Sequence, residues 1–286
     1  MLSIEGVSKQ FGGLHAVTRC SFAVAEGSIT GLIGPNGAGK TTVFNMVAGA
    51  FSASAGQIRF DGKEVTRLSA HQLFHQGLVR TFQIPHEFGQ MTCLENLLLV
   101  PGAQNGERLL HAWFRWGAVR QQERALIERA EEVLEFIKMS HLRDTLAANV
   151  SGGQKKLLEI GRTMMTDARL VLLDEPGAGV NRTLLGDIVG LIRKLNQEHG
   201  YTFCIIEHDM GFIAELCDPV ICMAEGTVLT QGTMAEVRGD QRVLEAYLGT
   251  RHNPADENEA MGEDDRSSRA ALSIPGHLAP GGAAAT

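Results

Sequence analysis

Cysteine is sparse and unpaired in this sequence. Its five cysteines (Cys20, Cys93, Cys204, Cys217 and Cys222) are odd in number and contain no CxxC pair. That excludes a disulfide framework and a thiolate zinc site, and it implies a reducing compartment. Long apolar runs are missing too: none approaches the roughly 20 residues that span a bilayer. The opening MLSIEGVSKQ has no signal-peptide apolar core. A cytoplasmic protein is expected, with any membrane connection made through a partner. A basic surplus is also lacking. The net charge of -7 argues against nucleic-acid binding, which calls for a basic face. Internal repeats are absent.

What remains is ordinary for a soluble globular chain: 44% hydrophobic and 21% charged residues in 286, enough for one large domain or two small ones. Residues 1 to about 30 alternate apolar and polar and read as strands. GLIGPNGAGKTTVFNMVAGA runs from a buried strand through a glycine-rich loop into a helix ending near Gly49. GQIRFDGKEV reads as a hairpin turning at Asp61-Gly62. From about 104 to 148 the pattern is helical and charged, with Leu126, Ala130, Val133, Leu134 and Ile137 on one face. After Ser151, helices alternate with the short strands RLVLLDE and YTFCIIEH, which implies parallel βαβ units. Beyond Arg251 the composition shifts to Ala, Gly, Pro and acid, as in a disordered tail.

Chemistry enters at GPNGAGKT, Gly34 to Thr41, which fits GxxxxGK[ST] between a strand and a helix. Glycines let backbone amides curl around phosphate oxygens, and the helix N-terminus adds partial positive charge. Lys40 would reach the β- and γ-phosphates, and the Thr41 hydroxyl would ligate Mg²⁺. RLVLLDE closes a buried strand on two acids: Asp174 is placed to hold the Mg²⁺, and Glu175 to polarise the attacking water. His208 follows FCIIE, at the strand end where α/β sheets put ligands. Gln83 could touch a metal-bound water and a moving loop, and Phe11 could stack on an adenine. NVSGGQKK is the oddity. Two glycines weaken the helix they introduce, yet Ser151, Gly152 and Gly153 would offer a hydroxyl and bare amides to an anion.

Taken together, residues 1–249 resemble the ATP-binding subunits of ABC transporters. The elements occur in family order: Phe11 for the adenine-stacking loop, Gly34–Thr42 (Gly34, Pro35, Asn36, Gly37, Ala38, Gly39, Lys40, Thr41, Thr42) for Walker A, and Gln83 for the Q-loop. They continue with Ser151, Gly152, Gly153 and Gln154 for the signature, Asp174–Glu175 for Walker B, GAGVN for the D-loop and His208 for the switch. The resemblance implies an α/β fold: a P-loop NTPase (RecA-like) core, an antiparallel β subdomain, and an inserted α-helical subdomain over about 88–165 that carries the signature, followed by a disordered tail over 250–286. It implies ATP and Mg²⁺ as cofactors, with catalysis by Glu175, His208 and Gln83 and metal contacts from Thr41, Gln83 and Asp174. It also implies that the signature binds the γ-phosphate of ATP held by another subunit, so that ATP closes a head-to-tail dimer. Some positions depart from the family pattern. Val150 replaces its leucine, Phe11 its tyrosine, and Gly177 and Val180-Asn181 its D-loop Ser and Leu-Asp. Asn181 keeps hydrogen bonding but loses charge. Lys40, Glu175 and His208 are all kept, so an active ATPase is expected.

RTFQIPHEFGQMTCLENLLL, the insertion around HAWFRWGAVRQQERALIERA, and the C-terminal VLEAYLG are similar to the ATPase subunit of branched-chain amino acid importers and their amide- and urea-type relatives. The implied partners are a second ATPase subunit, integral membrane permease subunits and, indirectly, an extracytoplasmic solute-binding protein. The implied place is the inner face of the cell membrane. Trp113, Phe114 and Trp116 form either a partner patch or the core of the insertion. The alternatives are a lipid or export ABC ATPase, or a soluble ABC ATPase outside transport. DNA-repair types would need a long coiled coil between P-loop and signature, and residues 43–150 hold no long heptad array. Translation types carry two cassettes in a chain, and this chain has one.

Overall fold

The structure is a computed structural model and describes residues 1–81, 87–102 and 116–249. Gln83, Trp113, Phe114 and the expected tail over 250–286 lie outside the described residues. The chain divides into two units, Met1–Ala246 and Tyr247–Thr286.

Two sheets carry the first unit. Strands β1 (Leu2–Phe11), β2 (Leu14–Val24), β4 (Ala55–Phe60) and β5 (Lys63–Glu64) form an antiparallel sheet in the order β2-β1-β4-β5. Its β4–β5 hairpin turns through Asp61 at φ 51° and Gly62 at φ 74°, the paired positive angles that Asp-Gly favours. The larger sheet runs β10-β9-β3-β8-β7-β6. It is built from β3 (Ile29–Ile33), β6 (Leu78–Arg80), β7 (Leu170–Asp174), β8 (Thr202–Ile206), β9 (Val220–Ala224) and β10 (Thr227–Gly232). Pairing is parallel from β9 through to β6, and only β9–β10 is antiparallel. Strands β3, β7, β8 and β9 are buried along their whole length, which is why they read as unbroken apolar runs.

Helix α1 (Lys40–Val47) joins the sheets: Val43, Phe44 and Val47 share one core cluster with Ile4, Phe22 and Phe60 of the first sheet and Leu170, Leu172, Ile206 and Met223 of the second. Short helices α2 (Ala70–Phe74) and α3 (Cys93–Leu98) start on reciprocal capping boxes, Ser69 with Gln72 and Thr92 with Glu95, each worth about 1 kcal/mol.

The helical, charged stretch from about 104 to 148 contains one long helix and two short turns among its described residues. Helix α4 spans Trp116–Phe136 and buries Ala130, Val133 and Leu134, with Leu126 half-buried. It stops because Lys138 adopts φ 59°, and the amides of Lys138 and Met139 close back on the carbonyls of Glu135 and Leu134, a Schellman ending. Ile137 thus lies just past the helix, still buried. Two 3-10 turns, Ser140–Leu142 and Ala147–Asn149, lead to helix α5 (Gly152–Met164). Helices α6 (Arg182–His199), α7 (Met210–Leu216), α8 (Met234–Gly239) and α9 (Gln241–Gly249) complete the described chain.

The order of the parallel strands decides where chemistry sits. The C-terminal ends of neighbouring β3, β8 and β7 deliver the Gly34 loop, His208 and the Asp174-Glu175 pair to one edge, the edge where open α/β sheets hold ligands.

Candidate active site

The loop from Gly34 to Gly39 leaves β3 and enters α1. Gly34 has φ 147°, and a Cβ there would stand 2.1 Å from the Met223 carbonyl oxygen, so no other residue fits against β9. Unlike α2, α3 and α5, helix α1 has no side-chain cap: its N-cap is Gly39, and its first turn carries no acid. Its leading amides are therefore left for an anion. Lys40 is buried at the first position of α1, and its Nζ donates to the carbonyls of Gly34 at 2.7 Å and Pro35 at 2.9 Å. Burial pulls the Lys40 pKa down, against the attraction of Glu175, Cys222 and Asp174. A buried ammonium at the head of an uncapped helix suits a polyphosphate, whose oxygens can take over both carbonyl contacts.

Asp174 ends β7 and is 4% exposed. Its Oδ2 accepts from Arg80 Nη2 at 2.8 Å, and Arg80 Nη1 donates to Asn45 Oδ1 on α1. The guanidinium of β6 thereby fixes the carboxylate beside the helix that presents Thr41. Thr41 is exposed at the start of α1, and a hydroxyl with a carboxylate is an oxygen donor set suited to Mg²⁺. Gln83, the third expected ligand, lies outside the described residues.

Glu175 turns out of the strand at φ 51°. That angle is sparsely populated for glutamate and is held here by three contacts. Its amide donates to the Ile206 carbonyl at 2.9 Å, its carbonyl accepts from Lys156 Nζ at 2.8 Å, and its Oε1 lies 3.0 Å from His208 Nε2. With Nε2 protonated, His208 donates to the carboxylate and orients it. Lys156, on α5, is itself buried, and burial lowers its pKa.

The signature residues open α5. Ser151 Oγ accepts from the Gln154 amide at 3.3 Å, and Gln154 Oε1 accepts from the Ser151 amide at 2.8 Å. The two glycines differ. Gly152 is exposed and has nothing within 4 Å of a virtual Cβ, whereas Gly153 is buried with Leu184 Cδ2 only 1.8 Å from one. Gly152 is thus bare towards solvent, while Gly153 is closely packed against Leu184 of α6. Asn181, in the D-loop, caps α6 by accepting from the Leu184 amide at 3.0 Å. Phe11, half-exposed at the end of β1, meets Phe51 edge to face at 5.4 Å, with Lys9 Nζ 5.1 Å from its ring.

Residues 17–178 match the family described as ABC transporter. The chain belongs to the ABC transporter family. Residues 224–253 of this cassette match a second family, branched-chain amino acid ATP-binding cassette transporter. Over 250 residues it is 42% identical to a probable branched-chain amino acid transport ATP-binding protein LivG of Archaeoglobus fulgidus, covering 87% of this chain and 95% of that protein. It is 39% identical over 249 residues to the high-affinity branched-chain amino acid transport ATP-binding protein BraF of Pseudomonas aeruginosa, covering 87% and 98%. A crystal structure of an ABC transporter cassette in its ADP conformation superposes with TM-score 0.75 at 38% identity, covering 87% of this chain and 98% of that one. The cassette is an α/β P-loop ATPase whose hydrolysis is coupled to transport, and it binds nucleotide. Among the described residues, no helix is long and apolar enough to cross a membrane.

Four side chains at this edge escaped the sequence reading: Asn45, Arg80, Lys156 and Glu207. Arg80 and Glu207 carried only a weak signal, each being a charge at the end of a short strand one to three residues before a motif residue. Asn45 and Lys156 carried none, being polar residues inside helices.

Proposed function

We propose that this cassette is the ATP-hydrolysing, energy-coupling subunit of an importer for branched-chain amino acids or related small polar solutes. The observation that carries this reading is the match of residues 224–253 to the branched-chain family, beyond the stretch shared by ABC transporters at large. In this reading Gly34–Thr42 and Lys40 hold the phosphates of ATP, Phe11 meets its adenine, and Thr41, Asp174 and Gln83 hold Mg²⁺. When bound, that ion neutralises phosphate charge. Arg80 keeps Asp174 in place, Glu175 accepts the proton of the attacking water at its carboxylate, and His208 orients that carboxylate through Nε2.

Ser151, Gly152, Gly153 and Gln154 serve the ATP of a second ATPase subunit, so neither half-site works alone. Membrane permease subunits are the other partners, and the cassette sits at the inner face of the cell membrane through them. A cavity of about 460 Å³, lined by Phe74, Val79, Phe88, Val100 and Arg162, is apolar enough to receive a permease segment. The reading is tested by identifying proteins that copurify with the cassette from solubilised membranes. Permeases with an extracytoplasmic amino-acid-binding protein are expected; a lipid-binding companion would overturn the importer assignment.

A further inference from the structure

Two acids are buried among the described residues, Asp174 and Glu207, each 4% exposed. The first has its place in the metal site. The second is given no role by that reading, yet its carboxylate accepts from three backbone amides. Oε1 accepts from the Gly177 amide at 2.6 Å, and Oε2 accepts from the amides of His208 at 2.8 Å and Asp209 at 3.4 Å. Gly177 lies two residues past Glu175 on the loop leaving β7, while His208 and Asp209 lie on the loop leaving β8. One side chain therefore ties together the loops that carry the two members of the Glu175–His208 contact.

The surroundings are shaped to this tie. A Cβ on residue 177 would fall 2.7 Å from Glu207 Oε1 and 2.8 Å from Leu185 Cδ1, so glycine is what lets the carboxylate reach the amide. The buried Lys156 ammonium, which holds the Glu175 carbonyl at 2.8 Å, is also drawn electrostatically to Glu207. Asp209, on the far side, is fixed as the cap of α7 through the amides of Gly211 at 2.7 Å and Phe212 at 3.0 Å.

We propose that Glu207 is a positioning residue for ATP hydrolysis: by clamping the Gly177 loop to the His208 loop, it fixes the geometry of the Glu175–His208 pair. The inference rests on the roles given above to Glu175 and His208. It also gives the loop that starts at Gly177 a direct hold on the pair that performs hydrolysis.

The test uses the full-length chain. Glu207→Gln keeps the volume but turns an NH₂ towards one set of amide donors, so one arm of the clamp opens. Expected is a kcat lowered on the order of 10- to 100-fold, as for an ångström-scale misplacement, with KM for ATP and nucleotide affinity within about twofold. Gly177→Val, which leaves the carboxylate intact but fills its approach, should give the same split and decides the matter if the first variant fails to fold. Unchanged kcat in a folded variant, or kcat and nucleotide affinity falling together, would overturn the proposal. Glu175→Gln is measured alongside: full activity there defeats the assignment of the base, whereas an inactive Glu175→Gln beside a fully active Glu207→Gln defeats the clamp alone.

Discussion

His208 Nε2 lies 3.0 Å from Glu175 Oε1, and the two come from the ends of adjacent strands β8 and β7. The imidazole is exposed and the carboxylate is 18% exposed, so the pair is open to solvent. Glu175→Gln preserves shape and the contact with His208 but removes the proton acceptor. Turnover should fall about 10²- to 10⁴-fold, the usual worth of a general base. Nucleotide binding should persist, and gel filtration with ATP should show a trapped dimer. Turnover close to that of the parent would exclude Glu175 as the base.

Ser151 is exposed at the head of α5, and its amide and hydroxyl are engaged with Gln154 of the same helix. Ser151→Arg should therefore leave ATP binding by the single subunit intact and abolish ATP-dependent dimer formation, together with turnover. Loss of the cap on α5 adds a destabilisation of about 1 kcal/mol. The measurement is nucleotide affinity against dimerisation. If the lone subunit stopped binding ATP, the signature would belong to the same nucleotide as the P-loop.

The adjacent glycines of the signature should separate cleanly by alanine substitution. Gly153→Ala puts a methyl where Leu184 Cδ2 now lies, 1.8 Å from a Cβ there, and forces that side chain to turn, an overpacking that costs about 1 kcal/mol. Gly152→Ala meets nothing within 4 Å and should stay within about 0.5 kcal/mol of the parent, while still crowding a partner's nucleotide. Chemical denaturation reads the contrast. Leu184→Ala in the Gly153→Ala background should relieve the clash, and failure to do so would mean the two side chains do not meet.

The same pair of glycines shows how far the sequence could be read. SGGQ announced an unusual helix start, but it could not distinguish a glycine bare for a ligand from one bare for Leu184, because the packing partner lies on α6, about 30 residues on. The P-loop, the Asp174-Glu175 strand and His208 were legible since their spacing along the chain is itself the chemistry. Asn45, Arg80 and Glu207 were not, since each acts through a residue distant in sequence: Arg80 reaches Asp174 across the β6–β7 pairing, and Glu207 reaches Gly177 from β8 to the loop after β7. Where the helix within the 104–148 stretch ends was not legible, for a local reason. Apolar periodicity continues through Ile137 and Met139, while the backbone has already turned left-handed at Lys138.

Burial of the cysteines gives a prediction about pH. All five are buried and free. Burial pushes Cys20 and Cys217 up to about 12 and Cys222 up to about 11, from an ordinary 9.0, with Lys40 pulling Cys222 the other way. Cys204 and Cys93 are raised as well. A thiol whose folded pKa exceeds its unfolded value contributes its full stability below 9.0 and loses it as pH climbs towards the folded value. Unfolded thiols then ionise while folded ones cannot. Over the window from pH 9 to 11, Cys222 alone should remove about 2 kcal/mol. Urea denaturation at pH 8 and pH 10.5 measures the loss. Cys222→Ala should flatten the decline while other groups titrate identically in both proteins. An equal slope in parent and variant would mean the Cys222 thiol ionises as readily folded as unfolded. A thiol reagent applied at pH 8 checks the same burial independently: the folded protein should react negligibly, and all five cysteines should react once urea is added.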